Sequence, residues 1–355
     1  MNPVPHADRH YVPVLWAKDC EYLALRSLEA GRSAFVTPLF RTPGPKDQVE
    51  LAEKSGQMRT RLLANWGVDR PFYFEPDVKL PDTTRSSLIA AIVPALRQRH
   101  LWAIPIIRPD ATYLAAATKL VRRKPDCGLG IRLVGKDLID KATLSQRLTS
   151  AVSACGLTDS QTDLFIDMGS VAETADQLAA TLPILLKNVP RVARWRSLVL
   201  IASAFSGEPV PANTTTAIAR SDWMLWSSLQ DAGLQRMPTF ADSGPEILSR
   251  KPGGGSLPVP YLRYADRERW LIHRAKESER KSPAGYRRVL KRAMAHESYS
   301  GSDYSWADAE IARQAKLPEP SISPALWVRV AFNRHFSLTI DQLGEAAAEA
   351  ATPAA

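Results

Sequence analysis

Eight short apolar runs, each followed by a helix-length amphipathic stretch, fill most of this chain and constrain its fold more than any other feature. The runs are VPVL (12–15), AFVTPLF (34–40), PFYFE (71–75), WAIPIIR (102–108), LGIRLV (129–134), DLFIDMG (163–169), SLVLIAS (197–203) and MPTFAD (237–242). Parallel strands need a crossover, usually a helix, so this alternation predicts a parallel sheet covered on both faces. Eight such units predict an α/β fold, a closed (β/α)8 TIM-like barrel.

The intervening stretches carry helix signals. CEYLALRSLEAG runs to Gly31, and the second helix closes on Gly67, a residue suited to a C-cap. RSSLIAAIVPALRQRH carries Pro94, which predicts a kink, and SDWMLWSSLQDAG has Ser221 or Asp222 near its N-cap and Gly233 as a stop. KPGGGSLPVP (251–260) reads as a loop. Beyond it, YLRYADRERWLIHRAK reads as a β-hairpin turning at Asp266–Glu268, and GYRRVLKRAMAH as a basic helix. SWADAEIARQA is a helix capped by Ser305, and PALWVRVAFNRHFSLTIDQL a last helical segment interrupted near Phe336. The expected division is a disordered leader (1–10), a barrel (11–250), a hairpin-plus-helix extension packed on it (251–343) and a disordered alanine-rich tail (344–355).

With 355 residues, 45% hydrophobic and 23% charged, the chain has ample material for a core. No run reaches the ~18 apolar residues of a membrane span, and MNPVPHADRHY has no secretory h-region. Cys20, Cys127 and Cys155 are odd in number and never spaced as CxxC, which points to free thiols in a reducing cytoplasm. A net charge of +9 raises the weight of a polyanionic partner. The basic residues crowd into 262–292, where Arg287, Arg288, Lys291 and Arg292 are the candidates for nucleic-acid contact. The competing reading of that stretch is a solvated surface of snorkelling side chains.

A barrel of this class works at the C-terminal ends of its strands. The run ends supply Arg41, Glu75, Arg108, Arg132, Asp167, Ser203 and Asp242, with Arg263 following in the hairpin. Guanidinium groups bind phosphate or carboxylate bidentately, so Arg108, Arg132 and Arg263, with Tyr264 as a stacking surface, are the candidate ligand-binding residues. Glu75, Asp167 and Asp242 are the candidate catalytic carboxylates, as acid and base or around a divalent ion. The competing reading is a structural ring of Arg–carboxylate pairs, since buried charge must be paired whether or not a ligand exists. On placement alone, Arg108, Arg132, Asp167 and Asp242 should form one connected cluster.

Other chemistry lacks its motif. The six histidines form no H-x-H or HExxH, so no residue is assigned to a metal, and His335 is expected to pack on Trp327. There is no G-x-S-x-G elbow at Ser203 or Ser206, no Walker A and no G-x-G-x-x-G, and Lys18 and Lys79 lie outside the strands. No cofactor is indicated.

The opening YVPVLWAKDCEYLAL resembles the start of the bacterial and phage beta family, named after a beta protein of a tailed bacteriophage. VTPLF, WRSLVLIASAF, SDWMLW and FADSG agree with it, as do LRYADRERWLIHRAK, GYRRVLKRAMAHESYSGSDYSWADAEI and LWVRVAFNRHFSLTIDQL. The likeness spans roughly 11–343. Arg41 stands where an acidic residue is common in the family, Arg334–His335 replaces paired histidines, and LPEPSISPA replaces a glycine-rich stretch. The resemblance implies a setting, phage and mobile defence islands, and no reaction. The expectation is therefore a barrel that recognises an anionic, phosphate-bearing ligand (nucleotide or nucleic acid) in phage–host conflict, alongside a protein partner from the same operon and away from membranes. The alternatives are a metal-dependent phosphodiester or nucleotide hydrolase and a non-catalytic scaffold subunit.

Overall fold

Every one of the eight apolar runs forms a strand. In the computed structural model, which describes residues 9–109, 111–205, 210–245 and 259–351, the strands are β1 (Tyr11–Leu15), β2 (Leu39–Thr42), β3 (Pro71–Pro76), β4 (Trp102–Ile107), β5 (Leu129–Val134), β6 (Thr162–Ser170) and β7 (Ser197–Ser203). A short strand β8 (Thr215–Ala219) precedes the last barrel strand, β9 (Thr239–Asp242), and β10 (Tyr261–Ala265) and β11 (Arg269–Arg274) follow. Strands β1 to β7 and β9 close into a parallel barrel, with β9 returning to β1 through Tyr11↔Phe240 and Pro13↔Asp242. The barrel interior is dry at its waist, where Val12, Val14, Leu39, Tyr73, Ile104 and Phe165 meet. Gly130 belongs to this layer because a Cβ there would lie 2.7 Å from Ile106.

The helices are α1 (Asp19–Arg26), α2 (Ala30–Ser33), α3 (Gln48–Asn65), α4 (Asp82–Arg97), α5 (Ala111–Arg123), α6 (Lys141–Cys155), α7 (Ala175–Leu186), α8 (Ser221–Ser227), α9 (Pro283–Met294), α10 (Trp306–Lys316) and α11 (Pro324–Ala351). Their starts follow ordinary capping chemistry: Asp47, Asp140 and Ser305 each accept a bond from a backbone N–H of the first turn. Arg220, not Ser221 or Asp222, is the N-cap of α8. Gly67, with φ +100°, follows the last residues of α3. No helix among the described residues is long and apolar enough to cross a membrane.

The extension does more than decorate the barrel. Strands β10 and β11 form the expected hairpin, and β8, a strand the sequence pattern does not announce, adds to its edge in the order β10–β11–β8. Helices α9, α10 and the start of α11 pack on this sheet around a second core that includes Leu262, Leu271, Tyr286, Val289, Ile311 and Trp327. The rest of α11 lies against the outside of the barrel, where Phe332, Phe336, Ile340 and Leu343 join the same core as Tyr11, Leu25 and Phe240. Helix α11 thus fills the eighth helical position of the barrel, separated from β9 by the whole inserted sheet. It runs unbroken through Phe336 and on to Ala351, past Gly344, where the tail is expected to lose structure. Residues 1–8 of the leader and 246–258, which hold most of the KPGGGSLPVP loop, lie outside the described residues.

Polar side chains on α11 make the joints. Asn333, fully buried, donates from Nδ2 to the Ala24 carbonyl of α1 at 3.2 Å and accepts the Ala307 N–H of α10 at 3.0 Å. Asp341 takes a bidentate bond from Arg32 at 3.0 and 2.8 Å, and the Tyr304 hydroxyl at 2.7 Å. Replacing Asn333 with Ala strands the Ala307 N–H in the core, while the Ala24 carbonyl keeps the Ser27 N–H at 3.2 Å, and should lower unfolding stability in urea by about 1–3 kcal/mol. A change under ~0.5 kcal/mol would mean that water reaches this joint.

Candidate functional site

Inward-facing residues alternate along each strand, and one step above the apolar waist they become polar. Arg41 follows Leu39, Glu75 follows Tyr73, Arg132 follows Gly130, Asp167 follows Phe165, Ser203 follows Ile201 and Ser243 follows Ala241. All six are buried, and they form the floor of the barrel mouth. Arg41 Nε donates to Glu75 Oε2 at 2.9 Å, and Arg132 donates to the other oxygen, Oε1, at 3.0 Å. Arg132 also bonds Asp167, whose Oδ2 lies 3.5 Å from Arg41 as well. Arg85 of α4 brings a third guanidinium to 3.6 Å from Glu75. Ser203 and Ser243 share a hydrogen bond at 2.8 Å across the strand ends.

Three guanidinium groups therefore gather on Glu75 and Asp167, and Arg85 also lies 3.9 Å from the exposed Asp82. Burial would raise the Glu75 carboxyl, but Arg132, Arg41 and Arg85 outweigh it and hold the group below its usual range. Burial opposes the charge on Arg132 too, and Glu75 and Asp167 restore it. The Nε of Arg132 is buried with no hydrogen-bond partner among the described residues. Arg85 is the member that sequence reasoning misses. Its signal is its place on the apolar stripe of α4, with Leu88, Ile89, Ile92 and Leu96, where a lone arginine can stay charged only beside a buried carboxylate.

Asp242 belongs elsewhere. Its neighbour Ala241 faces the barrel interior, so Asp242 turns outward, under α11. There it accepts the Tyr11 hydroxyl at 2.5 Å, the Gly244 N–H at 3.0 Å and His335 Nε2 at 2.8 Å. Gly244, at φ +57°, has no room for a side chain: a Cβ would meet Phe332 at 3.1 Å and His335 at 3.3 Å. Arg220 donates to Thr339 Oγ1 at 3.0 Å and to Gln342 at 2.6 Å. Thr339 Oγ1 also lies 3.5 Å from His335 Nδ1. The Asp242 carboxylate can only accept, so His335 Nε2 carries a proton, and burial outweighs Asp242 in lowering the pKa of the ring. Asp222 lies in the same cluster. Burial and the charge of Asp242 push its carboxyl up to about 7, against the pull of Arg220 and the N–H groups of Trp223 and Ala204.

A family model described as Beta protein matches residues 11–341. The chain belongs to the Beta protein family. No curated protein matches it. The matched span takes in the barrel, the inserted sheet and α11 as far as Asp341, so the unit shared by the Beta protein family includes the helix that completes the barrel.

In this Beta protein family member the three candidate catalytic carboxylates do not converge. Glu75 and Asp167 meet at the mouth, while Asp242 is held on the outer face of β9. The expected single cluster of Arg108, Arg132, Asp167 and Asp242 is likewise divided, because residues adjacent along a strand point to opposite faces. Arg108, partly exposed, pairs with Asp137 at 3.6 Å. Arg263 lies over the rings of Tyr261 and Phe205, with its guanidinium carbon 5.0 and 5.3 Å from their centres. Tyr264 is no open stacking surface: it is buried, and its hydroxyl donates to Asp308 at 2.7 Å. His335 packs on Trp270, with ring centres 4.7 Å apart, whereas Trp327 stacks on Tyr286. On α9, Arg288 pairs with Glu279 at 2.9 Å and Arg287 reaches the Leu317 carbonyl at 3.4 Å. Arg292 donates to Thr214 O, Arg274 O and Asn213 Oδ1, while Lys291 is exposed. Most of this basic helix is engaged with the protein itself.

The raised carboxyl of Asp222 makes ionisation oppose folding. The opposition is absent below the ordinary carboxylate value, grows as pH rises and is complete above about 7. Relative to wild type, Asp222→Asn should therefore gain roughly 2–3 kcal/mol between pH 5 and pH 8 in urea unfolding. His335 has the opposite slope, losing stability as pH falls through the unfolded value of 6.5, but it does so in both proteins. A difference that stays constant across this range would show that Asp222 is already ionised in the fold.

Proposed function

We propose that the barrel mouth recognises an anionic, phosphate-bearing ligand, a nucleotide or the end of a nucleic acid, and that the protein binds this ligand without hydrolysing it. The observation that carries the proposal is the guanidinium cluster at the mouth: Arg41, Arg132 and Arg85 gather on Glu75 and Asp167, and the buried Nε of Arg132 lacks a hydrogen-bond partner among the described residues. A buried guanidinium N–H is costly unless an acceptor completes it, and a phosphate oxygen fits it. Arg108 lies at the end of the adjacent strand with its side chain 28% exposed, suited to a first contact from solvent.

The same geometry weighs against the hydrolase reading. Both oxygens of Glu75 accept from arginines, and Asp167 accepts from Arg132 and from the Gly169 N–H, so these carboxylates are built into ion pairs and not set out as a free base or a metal-ligand pair. The setting in phage–host conflict rests on the family resemblance and forms part of the same proposal.

Thermal melts with ATP, GTP and a short single-stranded oligonucleotide test the reading. A ligand at 100 times its Kd should stabilise the fold by about 2.7 kcal/mol, and the shift should shrink as salt is raised. Arg132→Gln should remove the shift. Since that change also leaves Asp167 short of a partner, Arg108→Gln serves as the milder variant and should weaken binding at least several-fold. A shift unchanged in both variants, or no shift with any of the three ligands, would rule the mouth out.

A further inference from the structure

The ring of helices around the barrel is uneven where it closes. Helix α8 has seven residues and ends at Ser227, whereas α11 continues to Ala351. Beyond the end of α8 a groove opens along the last turns of α11. Its more apolar half, about 440 Å³, is lined by Leu229, Leu234, Met237 and the alanines Ala346, Ala347 and Ala350, with one cation, Arg236, whose guanidinium is spent on the Val192, Trp195 and Arg196 carbonyls. Its polar half, about 410 Å³, continues from Gln230 and Ala346 over Trp223 to the turn of the β10–β11 hairpin.

The charge of that second half runs against the rest of the molecule. Asp266, Glu268, Glu345 and Glu349 line it with only Arg267 and Arg269. Both arginines are spent on carboxylates within the groove: Arg267 pairs with Glu345, and Arg269 with Asp266 at 3.0 Å. Glu268 and Glu349 have no ion pair among the described residues, so a chain of net charge +9 presents here a local excess of two negative charges.

We propose that this groove docks an amphipathic helix of a partner protein, with apolar side chains laid on the alanines of α11 and lysine or arginine side chains reaching Glu268 and Glu349. Alanines at 346, 347 and 350 let a second helix backbone approach closely, as helix packing at 8–10 Å requires. The apolar half reaches Pro238 and Thr239, where β9 begins, so it lies towards the barrel end opposite the mouth. A docked helix and a mouth ligand therefore occupy separate surfaces.

The test uses the full chain and a fluorescently labelled 18-residue peptide of leucine and lysine arranged to place all leucines on one helical face. Saturable binding by anisotropy is expected, with at least tenfold weaker binding for the matching leucine–glutamate peptide. Ala347→Trp, which fills the apolar half, and the double change Glu268→Lys with Glu349→Lys should each weaken binding at least tenfold. All are surface changes and should leave the thermal melt unmoved. Arg132→Gln at the mouth should bind the peptide as wild type does, which separates this proposal from the ligand reading above. Equal affinity for the two peptides, or affinity unchanged by Ala347→Trp, would overturn it. So would self-association in sedimentation that Ala347→Trp abolishes, since the occupant would then be a second copy of the chain.

Discussion

The hold of α11 on the barrel is the interaction on which the rest of this architecture depends, and it passes through buried polar bonds as much as through apolar packing. A seven-helix barrel would leave β9 and β1 open to water on their outer faces. The chain closes that gap with its last helix, drawn from the far side of an inserted sheet. Apolar contact supplies most of the attraction, through Phe332, Phe336 and Ile340, but it does not select a register along the helix. Register comes from directional partners: Asn333 between α1 and α10, His335 on Asp242, and Asp341 on Arg32. Sliding α11 by a single turn would leave Asn333, His335 and Asp242 buried without these partners, at a cost of several kcal/mol, and would also break the part-exposed Arg32–Asp341 pair.

This arrangement also explains why the insertion and the barrel behave as one unit. Arg334, next to His335, points the other way, into the second core. It donates to the Ala265 carbonyl at 3.1 Å and Ser300 Oγ at 3.0 Å, and lies over the Tyr264 ring. Two consecutive residues thus tie the helix to two cores. Arg220, at the start of α8, reaches the same helix from the barrel side and contacts the hairpin turn through the Asp266 and Arg267 carbonyls. The family match extends to Asp341 and so takes in the joints at Asn333, Arg334, His335 and Asp341.

The barrel was legible because its signal is repeated: strand after strand carries four to six apolar residues, and a parallel sheet buried on both faces needs just that. Strand β8 was not legible, since TTAIA is short, alternates in exposure and exists only as an edge to β11. The mouth residues Arg41, Glu75, Arg132 and Asp167 could be found by reading run ends. Asp242 ends its run in the same way and yet faces outward. In the closed barrel its register with Pro13, and not its position in the run, decides the face it takes. His335 and Tyr11 were hidden for a different reason: they lie at opposite ends of the chain, and nothing local marks either as a partner for Asp242.

The two polar layers inside the barrel meet the same physical demand in different ways. At the N-terminal ends of the strands Asp163 is saturated: Arg196 Nε at 2.9 Å, Ser197 Oγ at 2.7 Å and the Tyr73 hydroxyl at 3.0 Å all donate to it. One cation faces one anion there, and the remaining guanidinium protons reach towards the Cys127 carbonyl. At the C-terminal ends Arg41, Arg132 and Arg85 crowd on Glu75 and Asp167, Arg85 also reaching the exposed Asp82 at 3.9 Å, and a buried N–H of Arg132 is unmet among the described residues. Stability alone would favour closing both layers equally, because a buried donor without a partner costs about 1–3 kcal/mol. The imbalance lies on the face that (β/α)8 barrels reserve for ligands, and the saturated layer on the face that serves stability. Under the proposed reading, a compact anion entering from solvent past Arg108 would accept from this N–H and bring the upper layer to the same degree of pairing as the lower.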